Sequence, residues 1–184
     1  MKNLRKQDYK ILEEKSLLKS RSFEILDTKL ALPDKKVVEW SSIKMGDVVS
    51  GIVLTEKNTV ILVRQFRLAA KDIMLEIPAG RTEAKTEKQR IKELNRELQE
   101  EIGVKGKRIE KLLEAYRGAH SAGLFHIYLV RGLEKSSLEP DHGEIIEKVE
   151  LPINKALDIL LSGKEPTTYP TITGLLIAKM KLGL

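Results

Sequence analysis

The chain has 184 residues, 41% hydrophobic and 33% charged, a formal net charge of +6 and no cysteine. This suits one sizeable soluble core and excludes disulfides, cysteine-zinc sites and a thiol nucleophile. No window approaches the ~18 apolar residues of a membrane span. The first residues, Met-Lys-Asn-Leu-Arg-Lys-Gln, lack the apolar segment of a signal peptide, so a cytoplasmic protein without membrane association is expected. The positive charge is compatible with a small polyanion such as a nucleotide. Dispersed basic residues and only 4% aromatics argue against a nucleic-acid partner.

Residues 22–31 and 36–43 read as two strands of a hairpin turned at Pro33-Asp34. A second hairpin joins 47–54 to 59–66 around Glu56-Lys57-Asn58, and its second strand is nearly continuously apolar, as a central strand is. A short strand over 73–77 ends at Pro78-Ala79-Gly80. The apolar stripe Ile91, Leu94, Leu98, Ile102 predicts a helix over 89–102. Thr86 as N-cap and Gln89 three residues on form a capping box, which moves its start to about Glu87. Gly103 supplies the stop. Strands follow at 107–116 and 124–131, a helix at 153–162 closing with Ser162-Gly163, and a last helix over 170–181 with Pro170 in its first turn. Strands outnumber helices and include hairpins, so an α/β fold with a mixed sheet and helices on its faces is expected. The organisation expected is a small N-terminal antiparallel β-element, residues 1–46, and a main domain, residues 47–184.

The first helix is unusual in its acids. Glu93/Glu97 and Glu97/Glu101 are like-charge pairs at i,i+4, each costing about 0.2–0.5 kcal/mol. Glu100 and Glu101 also crowd the negative end of the helix dipole. A wheel sets this acidic set nearly opposite the apolar stripe. The ordinary reading is a solvated acidic face. The functional one is a hard divalent cation, Mg²⁺ or Mn²⁺, held by carboxylates without Cys or His.

The order of residues favours the second reading. Arg96-Glu97-Leu98-Gln99-Glu100-Glu101-Ile102-Gly103-Val104 resembles the second half of the Nudix box, the metal-binding signature of the Nudix hydrolases. The first half departs from it. Thr82 stands where the box has Gly and Lys88 where it has Glu, which a two-residue insertion within 81–87 explains. Val63-Arg64-Gln65-Phe66-Arg67, Leu75-Glu76-Ile77-Pro78-Ala79-Gly80 and the Asp141–Glu147 loop look like the ADP-ribose/ADP-sugar pyrophosphatase branch. Tyr116–Gly123 departs from that branch, which usually carries a Pro-Gly there.

The resemblance implies a Nudix α/β/α sandwich. It implies Mg²⁺-dependent hydrolysis of a nucleoside diphosphate-sugar, with ADP-ribose cut to AMP and ribose 5-phosphate. Another nucleotide sugar, a dinucleotide, or a non-catalytic nucleotide-binding Nudix fold are the alternatives. The expected metal ligands are Glu97 and Glu101 first, Glu100 next, and the Ala79 carbonyl. Arg96 is expected to hold the helix to the preceding loop through Glu87 or Glu83; without either, a slack helix and the non-catalytic alternative would follow. Arg67 is expected to clamp phosphate, Glu76 to orient its loop or hold a second metal, and Arg64 is a weaker substrate candidate. Glu144 is the first choice of general base and Glu147 the second. His142 is a base on pKa grounds alone, and His126 is expected to face solvent. Trp40, the one tryptophan, reads as core or interface. By resemblance it stacks on adenine across the interface of a homodimer built through the N-terminal hairpin.

Overall fold

The structure, a computed structural model, describes residues 5–140 and 143–184. Its strands are β1 (Lys10–Lys19), β2 (Phe23–Ala31), β3 (Val37–Met45), β4 (Asp47–Leu54), β5 (Thr59–Arg67), β6 (Asp72–Glu76), β7 (Ala79–Thr82), β8 (Val104–Gly118), β9 (Ser121–Lys135) and β10 (Ile146–Pro152). Its helices are α1 (Glu87–Glu101), α2 (Ile153–Leu161) and α3 (Tyr169–Leu182). Described residues up to Gly46, together with Tyr116–Leu124, form one compact unit; Asp47–Ala115 and Phe125–Leu184 form the other. The first unit therefore takes a ribbon tip from the middle of the chain.

In the smaller unit β1, β2 and β3 make an antiparallel sheet, with Lys10↔Ala31 and Phe23↔Met45 among its pairs. The predicted hairpin is β2–β3, turned through Leu32–Lys36, with the Leu32 N–H donating to the Lys36 carbonyl at 2.8 Å. β1 was not expected from the sequence. Its residues, Lys-Ile-Leu-Glu-Glu-Lys-Ser-Leu-Leu-Lys, lack a period-two pattern, and its pairing with β2 slips twice, at Ile11/Glu13 and Ser16/Leu18. Nor was the ribbon tip: Tyr116–Gly123 is not an irregular loop, because β8 and β9 run on to a turn at Ala119-His120.

The larger unit is a mixed sheet covered on both faces. β4 runs parallel to β9 from Val48↔Phe125 to Val53↔Val130, and β5 runs antiparallel to β10 from Thr59↔Pro152 to Gln65↔Ile146. β4 and β5 pair only beside their turn, at Val53↔Ile61 and Leu54↔Val60. Beyond it they part. β6 then pairs along β5 and β7 along β4, so the intervening Ile77-Pro78 link crosses the split.

Strand alternation assigns the faces. Val49, Val53, Ile61 and Val63 point to α1 and bury Leu94, Leu98 and Ile102. Ile52, Leu54, Val60 and Leu62 point to α2 and α3. The result is an α/β/α sandwich with the expected mixed sheet. No described helix is long and apolar enough to cross a membrane.

Candidate active site

α1 begins as its sequence predicts. Thr86 Oγ1 accepts from the Gln89 N–H at 3.3 Å, and the Gln89 side chain accepts from the Thr86 N–H at 3.0 Å. Such a box satisfies two of the otherwise orphaned groups of the first turn. Leu94 and Leu98 are fully buried and anchor the helix to the sheet. Ile102 closes it, followed by Gly103 at φ +71°.

Glu97 and Glu101 do not lie opposite the apolar stripe. At about 100° per residue Glu101 is roughly 20° from Leu94, and Glu97 roughly 60°. Both are carried to the margin of the buried face, against β7. The Ala79 N–H donates to Glu101 Oε2 at 3.1 Å. The Glu97 carboxyl lies over Gly80 so closely that a Cβ there would overlap it. Ala79 and Gly80 are therefore the floor of the site, and they belong to a strand, not to the loop expected after Pro78.

Arg96 corrects a second expectation. Among the described residues it pairs with neither Glu83 nor Glu87. Its Nε meets Glu93 at 3.2 Å, and its two terminal nitrogens meet Glu97 and Glu100. Burial works against its charge, yet Glu100, Glu97 and Glu93 hold its pKa well above the ordinary arginine value. Glu87 turns instead to Lys111 at 2.8 Å and Arg90 at 3.7 Å. Glu87 stands one position before the place where the box has Glu, about 100° around the helix, which is enough to change its partner. The helix is not slack as a result, because its cap and its leucines hold it.

Glu101 carries the clearest electrostatic sign of a site. Burial pushes its pKa up to about 8, and the charges of Glu97 and Glu144 add to the rise, while the Ala79 N–H and Arg67 oppose it. Four elements thus act on one carboxyl: α1 through Glu97, β7 through Ala79, the end of β5 through Arg67, and the segment before β10 through Glu144. Arg67 is itself oriented by Glu76, whose Oε2 accepts from Arg67 Nε at 2.7 Å and which is 4% exposed. Glu76 is thus an ion-pair partner of Arg67 in this structure.

Arg64 lies elsewhere. It alternates with Arg67 and points to the α2/α3 face. There it forks onto Glu165 at 2.7 and 2.8 Å and reaches Glu147 at 3.0 Å. Glu147 shares that face with Val149 and Leu151, which pack against the α2/α3 cluster. Glu144, three residues earlier, precedes β10, and its charge acts on Glu101 of α1. Asp141 and His142 lie outside the described residues. Trp40 is 56% exposed on β3 and is not a core residue of its unit.

His126 does not face solvent. It is fully buried, with Nδ1 at 3.1 Å from Glu114 and Nε2 at 3.6 Å from Asp47. The alternation of β9 was read correctly, but both faces of this strand are covered, so the polar position had no solvent to meet.

The residues fit a divalent ion. The donors are hard oxygens, Gly80 leaves room for the Glu97 carboxyl, and burial raises the Glu101 pKa to about 8, which a bound cation would offset. Among the described residues no three acids already converge as ligands: Arg96 draws Glu97 and Glu100, and Ala79 draws Glu101.

Comparison with known proteins points the same way. The sequence model of the NUDIX domain matches residues 44–172. An ADP-ribose pyrophosphatase of Bacillus subtilis (strain 168) is 30% identical over 161 residues, covering 83% of this chain and 86% of that one. A methanol dehydrogenase activator of Bacillus methanolicus is 28% identical over 181 residues, covering 94% and 95%. The crystal structure of an ADP compounds hydrolase superposes with a TM-score of 0.85 at 19% identity, over 100% of this chain and 97% of that one.

Proposed function

We propose a metal and a substrate for this chain, which belongs to the NUDIX family and is a hydrolase. It cleaves the diphosphate bond of a nucleoside diphosphate-sugar with Mg²⁺ or Mn²⁺, and the favoured substrate is ADP-ribose, giving AMP and ribose 5-phosphate. The observation that carries the reading is the partly buried Glu101 carboxyl, which accepts from the Ala79 N–H and is acted on by the charges of Glu97, Glu144 and Arg67. The similarity to the Bacillus subtilis ADP-ribose pyrophosphatase supports the choice of substrate.

Glu97 and Glu101, with Glu100 and the Ala79 carbonyl, would hold the ion. When bound, it would neutralise the diphosphate and lower the pKa of the attacking water. The chain's own residues do the rest. Arg67, held by Glu76, supplies a fixed cation for a phosphate oxygen. Arg96 gathers Glu97 and Glu100 and restrains their repulsion. Glu144 accepts the proton of the attacking water, because it is exposed and its charge acts on Glu101, while Glu147 is paired with Arg64 on the α2/α3 face. Arg64 takes no part in substrate binding in this reading. The non-catalytic alternative is not retained for a member of a hydrolase family.

The exposed Trp40 indole is assigned to stacking on the adenine of a substrate bound by a second copy, in a homodimer formed through β1–β3. β1 is exposed along its whole length and carries Ile11, Leu12, Leu17 and Leu18. Sedimentation at micromolar concentration should give a dimer; a monomer would remove this role from Trp40.

The test of the reaction is incubation of the purified chain with ADP-ribose and Mg²⁺. AMP and ribose 5-phosphate should appear in equal amounts, and none should form with EDTA. Release of inorganic phosphate in place of AMP would overturn the bond assignment.

A further inference from the structure

The Ile77-Pro78 link crosses the split in the sheet and delivers Ala79 to the acids of α1. It belongs to neither β6 nor β7, so no ladder fixes it. Its hydrogen bonds come from elsewhere. The Pro78 carbonyl accepts from the Gly51 N–H at 3.0 Å. The Ile77 N–H donates to Thr171 Oγ1 at 3.2 Å, and Thr171 is fully buried on α3. Thr168 and Thr171 share a further hydroxyl contact at 3.1 Å. Two residues before Ile77, both backbone groups of Leu75 on the open edge of β6 are taken by the segment before α3. The Leu75 N–H donates to the Pro166 carbonyl at 2.9 Å, and Thr167 Oγ1 donates to the Leu75 carbonyl at 2.6 Å.

That segment is fastened in turn. The Arg64–Glu165 fork ties it to β5. α3 approaches β4 so closely at Gly174 that a Cβ there would lie 2.9 Å from Ile52 and 3.1 Å from Ile127. Thr171 is one turn before Gly174, so this approach brings its hydroxyl to Ile77. A leucine or valine would fill the same apolar surroundings. A buried threonine facing a strand break satisfies an N–H that would otherwise cost a full desolvation penalty.

We propose that Thr171 is a positioning residue, which fixes Ala79 against the acids of α1 from the opposite face of the sheet and so sets the affinity for the divalent ion. Thr167 and the Arg64–Glu165 fork support it by holding Leu75. The inference rests on the reading of Ala79 as a metal ligand.

The probe is Mn²⁺ alone, titrated calorimetrically into the full chain without substrate. Thr171→Val keeps the volume and removes the hydroxyl. It should weaken Mn²⁺ about tenfold, since small displacements of a preorganised ligand are costly. Thr171→Ser should restore binding to within about twofold, and Thr167→Val should weaken it about threefold, on the same principle. Hydrolysis of ADP-ribose by Thr171→Val should fall at low Mn²⁺, recover at saturating Mn²⁺, and show an unchanged KM. Wild-type Mn²⁺ affinity in Thr171→Val, or failure of Thr171→Ser to restore it, would overturn the proposal. If Thr171→Val does not fold, Thr167→Val and Thr171→Ser decide: wild-type affinity in the first or lost affinity in the second rejects the role. A wild-type chain that binds Mn²⁺ but leaves ADP-ribose intact would refute the substrate while the affinities still judge Thr171.

Discussion

Arg64 and Arg67 are three residues apart on β5 and serve opposite faces of the sheet. On the α2/α3 face Arg64 meets two carboxylates, Glu165 and Glu147, and holds the Glu165 carboxyl below the usual carboxylate range. On the α1 face Arg67 and Arg96 stand among Glu76, Glu93, Glu97, Glu100, Glu101 and Glu144, and one acid, Glu101, keeps its proton up to about pH 8. The first face keeps its paired acid ionised beside a cation. The face with surplus acid is stable only at a cost that a bound cation would relieve. The difference teaches where chemistry resides: in the charge a protein leaves uncompensated beside a glycine floor.

Removing that surplus should have the largest effect. Glu97→Gln and Glu101→Gln should each lower turnover of ADP-ribose by about 10²–10³-fold, the scale of losing a principal electrostatic contact, with the fold intact by circular dichroism. Wild-type rates in both would end the metal assignment.

Glu144 and Glu147 sharpen the comparison, since they leave one short stretch of chain for opposite faces. Glu144→Gln should cost about 10²-fold in kcat, the range of a general base. Glu147→Gln should change kcat less than about threefold, as loss of an exposed ion pair does. The reverse order would refute Glu144 as the base.

Gly80→Ala tests the floor. Its methyl must displace the Glu97 carboxyl, so urea unfolding should show a loss of about 1–3 kcal/mol, typical of overpacking, together with weaker Mn²⁺ binding. An unchanged variant on both counts would mean that Glu97 does not rest there.

The smallest effect is in pH dependence. In the metal-free chain the folded pKa of Glu101 is about 8, against about 4.3 for an ordinary glutamate. The folded state therefore binds this proton more tightly than the unfolded state. Its stabilising contribution is complete below about pH 4.3 and is lost as pH rises through about 8. Between pH 6 and 9 the metal-free wild type should lose Tm relative to Glu101→Gln, and Mn²⁺ should abolish the difference. Parallel curves would show that Glu101 is not held protonated.

Much of this was legible in the sequence where the decisive interactions are local. Thr86 and Gln89 fixed the start of α1, Gly103 its end, and the four-residue spacing of Glu97 and Glu101 their common direction, because caps and helical periodicity act within one turn. The order of residues in the box likewise identified the family. Tertiary structure alone decided the partners. β7 exists because Ala79–Thr82 pairs with Asp47–Ser50, and no pattern within four residues announces that ladder. Arg96 turned from Glu87 to its helical neighbours because a single-residue offset rotates a side chain to another side of the helix. His126 was buried because a second layer covers the polar side of its strand. Glu147 was turned to Arg64 by the register of β10 on β5. A sequence states which side chains share an element's face; only packing determines what that face meets, since burial and charge pairing are properties of the space between elements.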